Sequence, residues 1–309
     1  MKMNSQMVLF AKNMILFLLI FFAIDSLFGI VFDKIFFVQK RKLTYAIEQS
    51  NESLLILGSS RAQHHYNSQI LADSLGLSVY NAGVSGQNIY FHYALLKSVL
   101  YRYKPQIVLL EVFDIDIYKT PSGWNTDKLS ALYPYYYRDT AVKEIVDLRS
   151  PFEPYILTSN FVRYNSQIPY TLSLALFYKN TEISYTNMGY MPIDVEKHLT
   201  GELANIVEEK YGGVIDYNKI YYLRKFAQLC RLNGIRCIFA ISPIFENIST
   251  MKYLSIIKNV ANECGIEFYD FSNESVLMNP EYFKDIVHIN DNGVDLYTSK
   301  IACKIMRYK

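Results

Sequence analysis

Apolar residues in this chain fall into one long run near the start and a series of short runs after it. The long run is Met14 to Phe32, 19 positions interrupted by Asp25, Ser26 and Gly29. A helix needs roughly 20 apolar residues to cross a bilayer, so this stretch is an expected membrane span. Its purest part, Met14 to Ile24, also has the length of a signal-peptide core, but no small-x-small cleavage site follows, which favours an uncleaved anchor. A buried core helix fits less well, because the run is apolar around its whole circumference up to Asp25.

From Glu52 onward, short apolar runs alternate with amphipathic stretches. Leu54 to Leu57, Leu77 to Asn81, Ile107 to Val112, Cys237 to Ile241 and Glu267 to Phe271 read as strands. Ile89 to Tyr103 reads as a helix with Phe91, Leu95 and Val99 on one stripe, and Ile215 to Leu232 as another, stopped by Asn233-Gly234. Tyr253 to Glu263 and Val294 to Met306 complete the set. Such alternation calls for a parallel sheet covered on both faces, a three-layer α/β/α fold. The expected division is an anchor with its basic flank over 1–43 and an α/β domain over 44–309, with 114–213 inserted between the third strand and the next helix.

Composition adds detail to this picture. A chain of 309 residues, 51% of them hydrophobic, suffices for one substantial core plus an insertion. The net charge of +2 offers nothing that argues for a nucleic-acid partner. Lys2 and Lys12 precede the span while Lys34, Lys40, Arg41 and Lys42 follow it, and a positive-inside count alone would keep the domain cytoplasmic. The insertion holds Tyr133-Pro134-Tyr135-Tyr136-Tyr137 and the only tryptophan, Trp124. These rings suit either a lid that stacks on sugars or the packing of a small subdomain near the membrane. Cys230, Cys237, Cys264 and Cys303 lack metal-ligand spacing and read as packing residues. Neighbouring His64 and His65 diverge on a helix, so they read as solvent-facing or pocket-rim residues, as do His92 and His198. No metal or other cofactor is expected.

Two separated stretches carry candidate chemistry. Leu54 to Leu57 ends at Gly58-Ser59-Ser60-Arg61, a strand-to-helix turn that places a serine at the carboxyl edge of a parallel sheet, where open α/β folds bind ligands. Taken alone, such a turn is an ordinary N-cap. Asp285-Ile286-Val287-His288, in an expected loop before the last helix, lets a carboxylate hold one imidazole nitrogen while the other faces a serine. Taken alone, that tetrapeptide is a surface histidine near a helix start.

Together these blocks resemble the SGNH (GDSL-like) serine hydrolases, whose flavodoxin-like sheet carries a Gly-Asp-Ser-type block early and an Asp-x-x-His block late. The resemblance implies Ser60 as nucleophile, His288 as base and Asp285 as its orienter. Asn81-Ala82-Gly83-Val84-Ser85-Gly86-Gln87-Asn88 looks like the family's second block, which implies an oxyanion hole from the amides of Gly86 and Ser60. The family's Gly-x-Asn-Asp block is absent, for Val112 runs into Phe113-Asp114-Ile115-Asp116. A carboxylate cannot donate to an oxyanion, so the missing donor falls to Asn88 or Arg61, with Arg61 also expected to neutralise Asp114 at the substrate site. Similar departures occur in membrane-anchored relatives that acylate cell-surface polymers. That group implies an extracytoplasmic domain, a glycan or acyl-ester substrate and an integral-membrane acyltransferase as donor partner. The alternative is a non-catalytic SGNH-like scaffold or glycan-binding domain.

Overall fold

The computed structural model describes residues 5–39, 41–119, 127–177, 188–194, 213–245 and 252–307. All five stretches expected as strands form one parallel sheet: β1 (Leu54–Gly58), β2 (Val79–Asn81), β3 (Ile107–Glu111), β4 (Arg236–Ile241) and β5 (Glu267–Asp270), in the order β2-β1-β3-β4-β5. Leu54 lies beside both Val79 and Ile107, so β1 is paired on both sides and its carboxyl end opens where the strand order reverses, between β1 and β3. Open α/β sheets bind ligands at that crevice. β1 and β3 are buried along their whole length because both faces are covered, whereas the edge strand β5, with Glu267 and Asp270, is not. Leu55, Leu57, Val108, Leu110 and Phe239 enter one core, whereas Leu54, Ile56, Ile107, Leu109 and Ile238 enter the other.

Helices follow in chain order: α1 (Ser5–Val38), α2 (Lys42–Glu48), α3 (Ser60–His65), α4 (Ser68–Leu75) and α5 (Ile89–Leu100) precede the insertion. Within it lie α6 (Thr140–Val146), α7 (Glu153–Ile156), α8 (Asn160–Tyr164) and α9 (Ile168–Phe177), and after it α10 (Tyr217–Leu232), α11 (Lys252–Cys264) and α12 (Asp291–Met306). Helices α5, α10 and α11 pack on one face of the sheet, and α4 and α12 on the other. The architecture is therefore the three-layer parallel α/β/α fold expected from the pattern. Between β5 and α12, where a loop is expected, β6 (Phe283–Asp285) and β7 (His288–Ile289) form a short antiparallel hairpin.

Helix α1 is 34 residues, about 51 Å, and is long and apolar enough to cross a membrane. It outruns the expected span at both ends. Its first part is exposed, but Asp25, Gly29, Phe32 and Phe36 form a stripe buried against the insertion. Asp25 accepts from Ser159 Oγ at 2.7 Å, from the Asn160 amide and Nδ2 at 2.9 Å each, and from the Phe161 amide at 3.0 Å, capping α8. Phe28 stacks on Phe161 at 4.3 Å, and Phe32 and Phe36 lie against Tyr164. Tyr133, Tyr135 and Tyr136 are buried in the same core, with Tyr135 Oη 2.6 Å from Thr44 Oγ1. These three rings pack a subdomain against α1, whereas Tyr137 is exposed and Trp124 lies outside the described residues.

Two residues of the basic flank, Arg41 and Lys42, are buried. Arg41 donates to Gln39 Oε1 and Thr171 Oγ1 at 2.6 Å each and lies 4.1 Å over the Phe36 ring. Burial pushes the Lys42 amine down to about 7. An amine that is neutral in the fold takes up a proton on unfolding, so it costs stability at neutral pH, and the cost fades as pH rises from about 7 toward the unfolded value of 10.5. Lys42→Met is therefore expected to raise Tm by roughly 5 °C at pH 7 and by less at pH 10. An equal gain at both pH values, followed by circular dichroism, would refute a buried neutral amine. The four cysteines are free thiols. Cys230 and Cys237 pack inside as expected, and Cys264 is half-buried, but Cys303 is exposed on α12.

Candidate active site

The serine turn is built by Gly58, whose φ of +142° no L side chain favours. A Cβ there would lie 2.7 Å from the Glu111 carbonyl oxygen and 2.8 Å from Ala62 Cβ, so only glycine lets β1 bend straight into α3. Ser59 then occupies the N-cap position and Ser60 begins the helix. The Ser60 amide is one of the first four in α3, which have no partner within the helix.

The hairpin delivers His288 to Ser60. Asp285 Oδ1 accepts from the backbone amides of Val287 at 3.0 Å and His288 at 2.9 Å, which closes the turn on itself. The same carboxylate lies 2.9 and 3.0 Å from His288 Nδ1, and His288 Nε2 lies 2.8 Å from Ser60 Oγ. A carboxylate only accepts, so the ring proton sits on Nδ1 and Nε2 receives the Ser60 hydroxyl. Burial pushes the Asp285 carboxyl up, but the imidazole and the two amides outweigh it and hold the group below its ordinary value. The three residues expected as a triad thus stand in line across 228 positions of sequence.

Beneath the triad lies a buried polar network. Arg61, expected to meet Asp114, instead donates through Nε to Glu111 Oε1 at 2.8 Å and is 2% exposed. Its other nitrogens reach the carbonyls of Ser242 at 2.5 Å, Val287 at 3.2 Å and Pro243 at 3.4 Å. It is a structural cation with no face toward a substrate. Glu111 also accepts from Tyr66 Oη, from Ser242 Oγ at 2.7 Å and from the Ser242 amide. His65 is fully buried rather than at the rim. The Ile289 amide donates to its Nε2 at 3.2 Å, so its proton is on Nδ1, 2.7 Å from Ser242 Oγ. Arg61 and His65, both on the helix that begins with Ser60, thereby hold the residues on either side of His288.

The expected oxyanion residues are placed as follows. The Gly86 amide donates to Ser59 Oγ at 3.1 Å, one residue before Ser60. Asn88 is buried and its side chain accepts from the Tyr90 amide at 3.1 Å, capping α5. Asp114 is buried at the start of a short 3-10 turn after β3, away from Arg61's ion pair. In the same turn Asp116 faces His92 at 4.0 Å, too far for a hydrogen bond. Burial pushes the Asp116 carboxyl up and the His92 imidazole down, and His92, too, is a core residue rather than a surface one.

His64 does sit at the rim. Its Nδ1 donates to the Met191 carbonyl at 2.7 Å, its ring centroid is 6.3 Å from that of His288, and burial pushes it down to about 4. Met191 belongs to the turn Gly189-Tyr190-Met191-Pro192, for which nothing in the sequence suggested a role at the site. His198 lies outside the described residues. Sequence reasoning also missed Glu111 and Ser242. One signal was present, a glutamate at the end of an otherwise apolar strand, where a buried charge demands partners.

Sheet order, serine turn and Asp-x-x-His hairpin together have the SGNH-type α/β/α arrangement. No family model matches the chain, and no curated protein does. Among solved structures, it is similar to the psychrotrophic esterase EstA from Pseudoalteromonas sp., with 12% identity, coverage of 84% of this chain and 98% of that one, and a TM-score of 0.42. A putative acylhydrolase from Bacteroides fragilis aligns at 13% identity over 87% and 97% of the two chains, TM-score 0.41. A GDSL-like lipase from Bacteroides thetaiotaomicron aligns at 13% identity over 83% and 88%, TM-score 0.39. Scores and identities this low leave the site's own side chains to carry the function.

Proposed function

We propose that the chain is a serine-dependent acyl-ester hydrolase or O-acyltransferase that acts on a cell-envelope or surface glycan. The observation that carries the acyl chemistry is the continuous line from Asp285 through His288 to Ser60 Oγ. Ser60 Oγ attacks the ester carbonyl as its proton passes to His288 Nε2. The carbonyl oxygen becomes an oxyanion held by the amides of Ser60 and Gly86, the latter released when the Ser59 hydroxyl turns aside. Collapse expels the alcohol, which takes the proton back from His288, and leaves Ser60 acylated. A second hydroxyl, from water or from a sugar, then attacks the acyl carbon as its proton passes to His288, and the bond to Ser60 Oγ breaks as Oγ takes that proton back.

The glycan target, the extracytoplasmic placement and an integral-membrane acyltransferase as acyl donor rest on the resemblance, with α1 read as a single-pass anchor. Full-length protein in detergent is expected to release acetate from acetylated oligosaccharide and, given an activated acetyl donor, to add acetyl mass to a de-acetylated glycan. Release without any transfer would leave a plain esterase. The non-catalytic alternative keeps one point in its favour, the lack of a side-chain oxyanion donor after β3; it would stand if neither reaction occurred.

A further inference from the structure

We propose that the segment around α7 and the start of α8 is a foot that rests in the membrane surface beside α1. This rests on reading α1 as the membrane span. From Ser5 to Ile24 the helix is exposed except at the half-buried Val8, a length of about 30 Å that equals the hydrocarbon thickness of a bilayer. This sets the hydrocarbon nearer the N-terminus than the Met14 to Phe32 run, with Lys12 left to reach the near surface. The first α1 residue that the protein covers is Asp25, and the groups that cover it are Ser159, Asn160 and Phe161. If the bare length fills the bilayer, those residues meet the helix where the hydrocarbon ends.

The surface chemistry there suits that depth. Phe152 is 68% and Tyr155 74% exposed, with Ile156, Phe161 and Val162 also open to solvent, so five large apolar side chains crowd eleven residues. Aromatic side chains with an apolar body and a polar tip concentrate at membrane interfaces. Phe161 continues this surface onto the anchor by its stack on Phe28. Gly29 lets α8 lie that close, since a Cβ there would fall 2.3 Å from Asn160 Cγ. The carboxylate at the boundary is also fully bonded, so Asp25 can sit at the bilayer edge without an uncompensated charge. A bilayer is therefore the occupant that continues the exposed face of α1, and the α/β domain is held close over it by two contacts rather than one.

Depth-dependent quenching tests this on the full chain reconstituted in phosphatidylcholine vesicles. Single tryptophans are placed in a Trp124→Phe background by Tyr155→Trp, by Leu18→Trp within the span, and by Val276→Trp, exposed beyond β5 at the sheet edge opposite β2. Lipids brominated near the head of the acyl chain are expected to cut Tyr155→Trp emission about twofold, and chain-end bromines to quench it less. Leu18→Trp should respond most to deep bromines and Val276→Trp to neither. Deep quenching of Leu18→Trp with none at Tyr155→Trp would overturn the foot and spare the anchor, as expected if a protein partner covers this face. No quenching of Leu18→Trp would overturn the anchor and the foot together, and quenching of Val276→Trp equal to that of Tyr155→Trp would overturn the foot.

Discussion

Full-length protein treated with a serine-reactive fluorophosphonate should gain one adduct by intact mass, and Ser60→Ala and His288→Ala should gain none. Turnover of a small activated ester should fall by about 10⁴-fold or more in each, because the residues act as a unit. Asp285→Asn is expected to cost about as much, since an asparagine cannot hold the imidazole in the Nδ1–H form or stabilise its cation. Acid is no substitute for that variant. The carboxyl is held below its ordinary value, so it stays ionised into the acidic range. Ser60 and His288 are half-exposed and touch no tightly packed core, so Tm should stay within about 2 °C in all three variants. An adduct that persists in Ser60→Ala would move the nucleophile elsewhere and dissolve the triad reading.

The largest effect on stability should come from Arg61→Ala. Removing one partner of a buried ion pair leaves the other charge uncompensated, at a cost of about 3–5 kcal/mol. Here Glu111 would keep only Tyr66 and Ser242 as donors, and three backbone carbonyls would lose Arg61. The expected result is a chain that unfolds at least 6 °C lower, roughly, and has lost its turnover with its fold. Arg61→Met combined with Glu111→Leu removes both charges and should recover much of the stability, as apolar replacements of buried pairs often do. Turnover should not recover, because the Val287 carbonyl beside His288 still lacks its donor. Should Arg61→Ala keep its Tm and lose only turnover, Arg61 would be a substrate-facing residue and the buried-pair account would fall.

How far the sequence could be read depended on what each residue's surroundings announce locally. Strands buried on both faces must be apolar, so Leu54 to Leu57 and Ile107 to Val112 were plain. The first reads one residue short of its end at Gly58 and the second one residue past its end at Glu111. Ser60 and His288 were legible through the two motifs and the resemblance, not through any periodicity. The network beneath them was hidden, because arginine, glutamate and histidine read as solvent-facing until partners far along the chain are known. Asp25 shows the same limit. In sequence it marks an interruption in a membrane span, whereas in the fold it caps a helix 135 residues away. The insertion was least legible, since its short helices carry too few turns to show a period.

Because α1 supplies a wall of the aromatic core, the chain cannot be trimmed to its α/β layers. A chain begun near Thr44 would strip Phe32 and Phe36 from Tyr135 and Tyr164, and would take Arg41 from Thr171. That cut would bare an oily floor and free the N-terminus of α8. Secretion of such a fragment would yield aggregate, and solubility screens should begin from the whole helix held in a micelle.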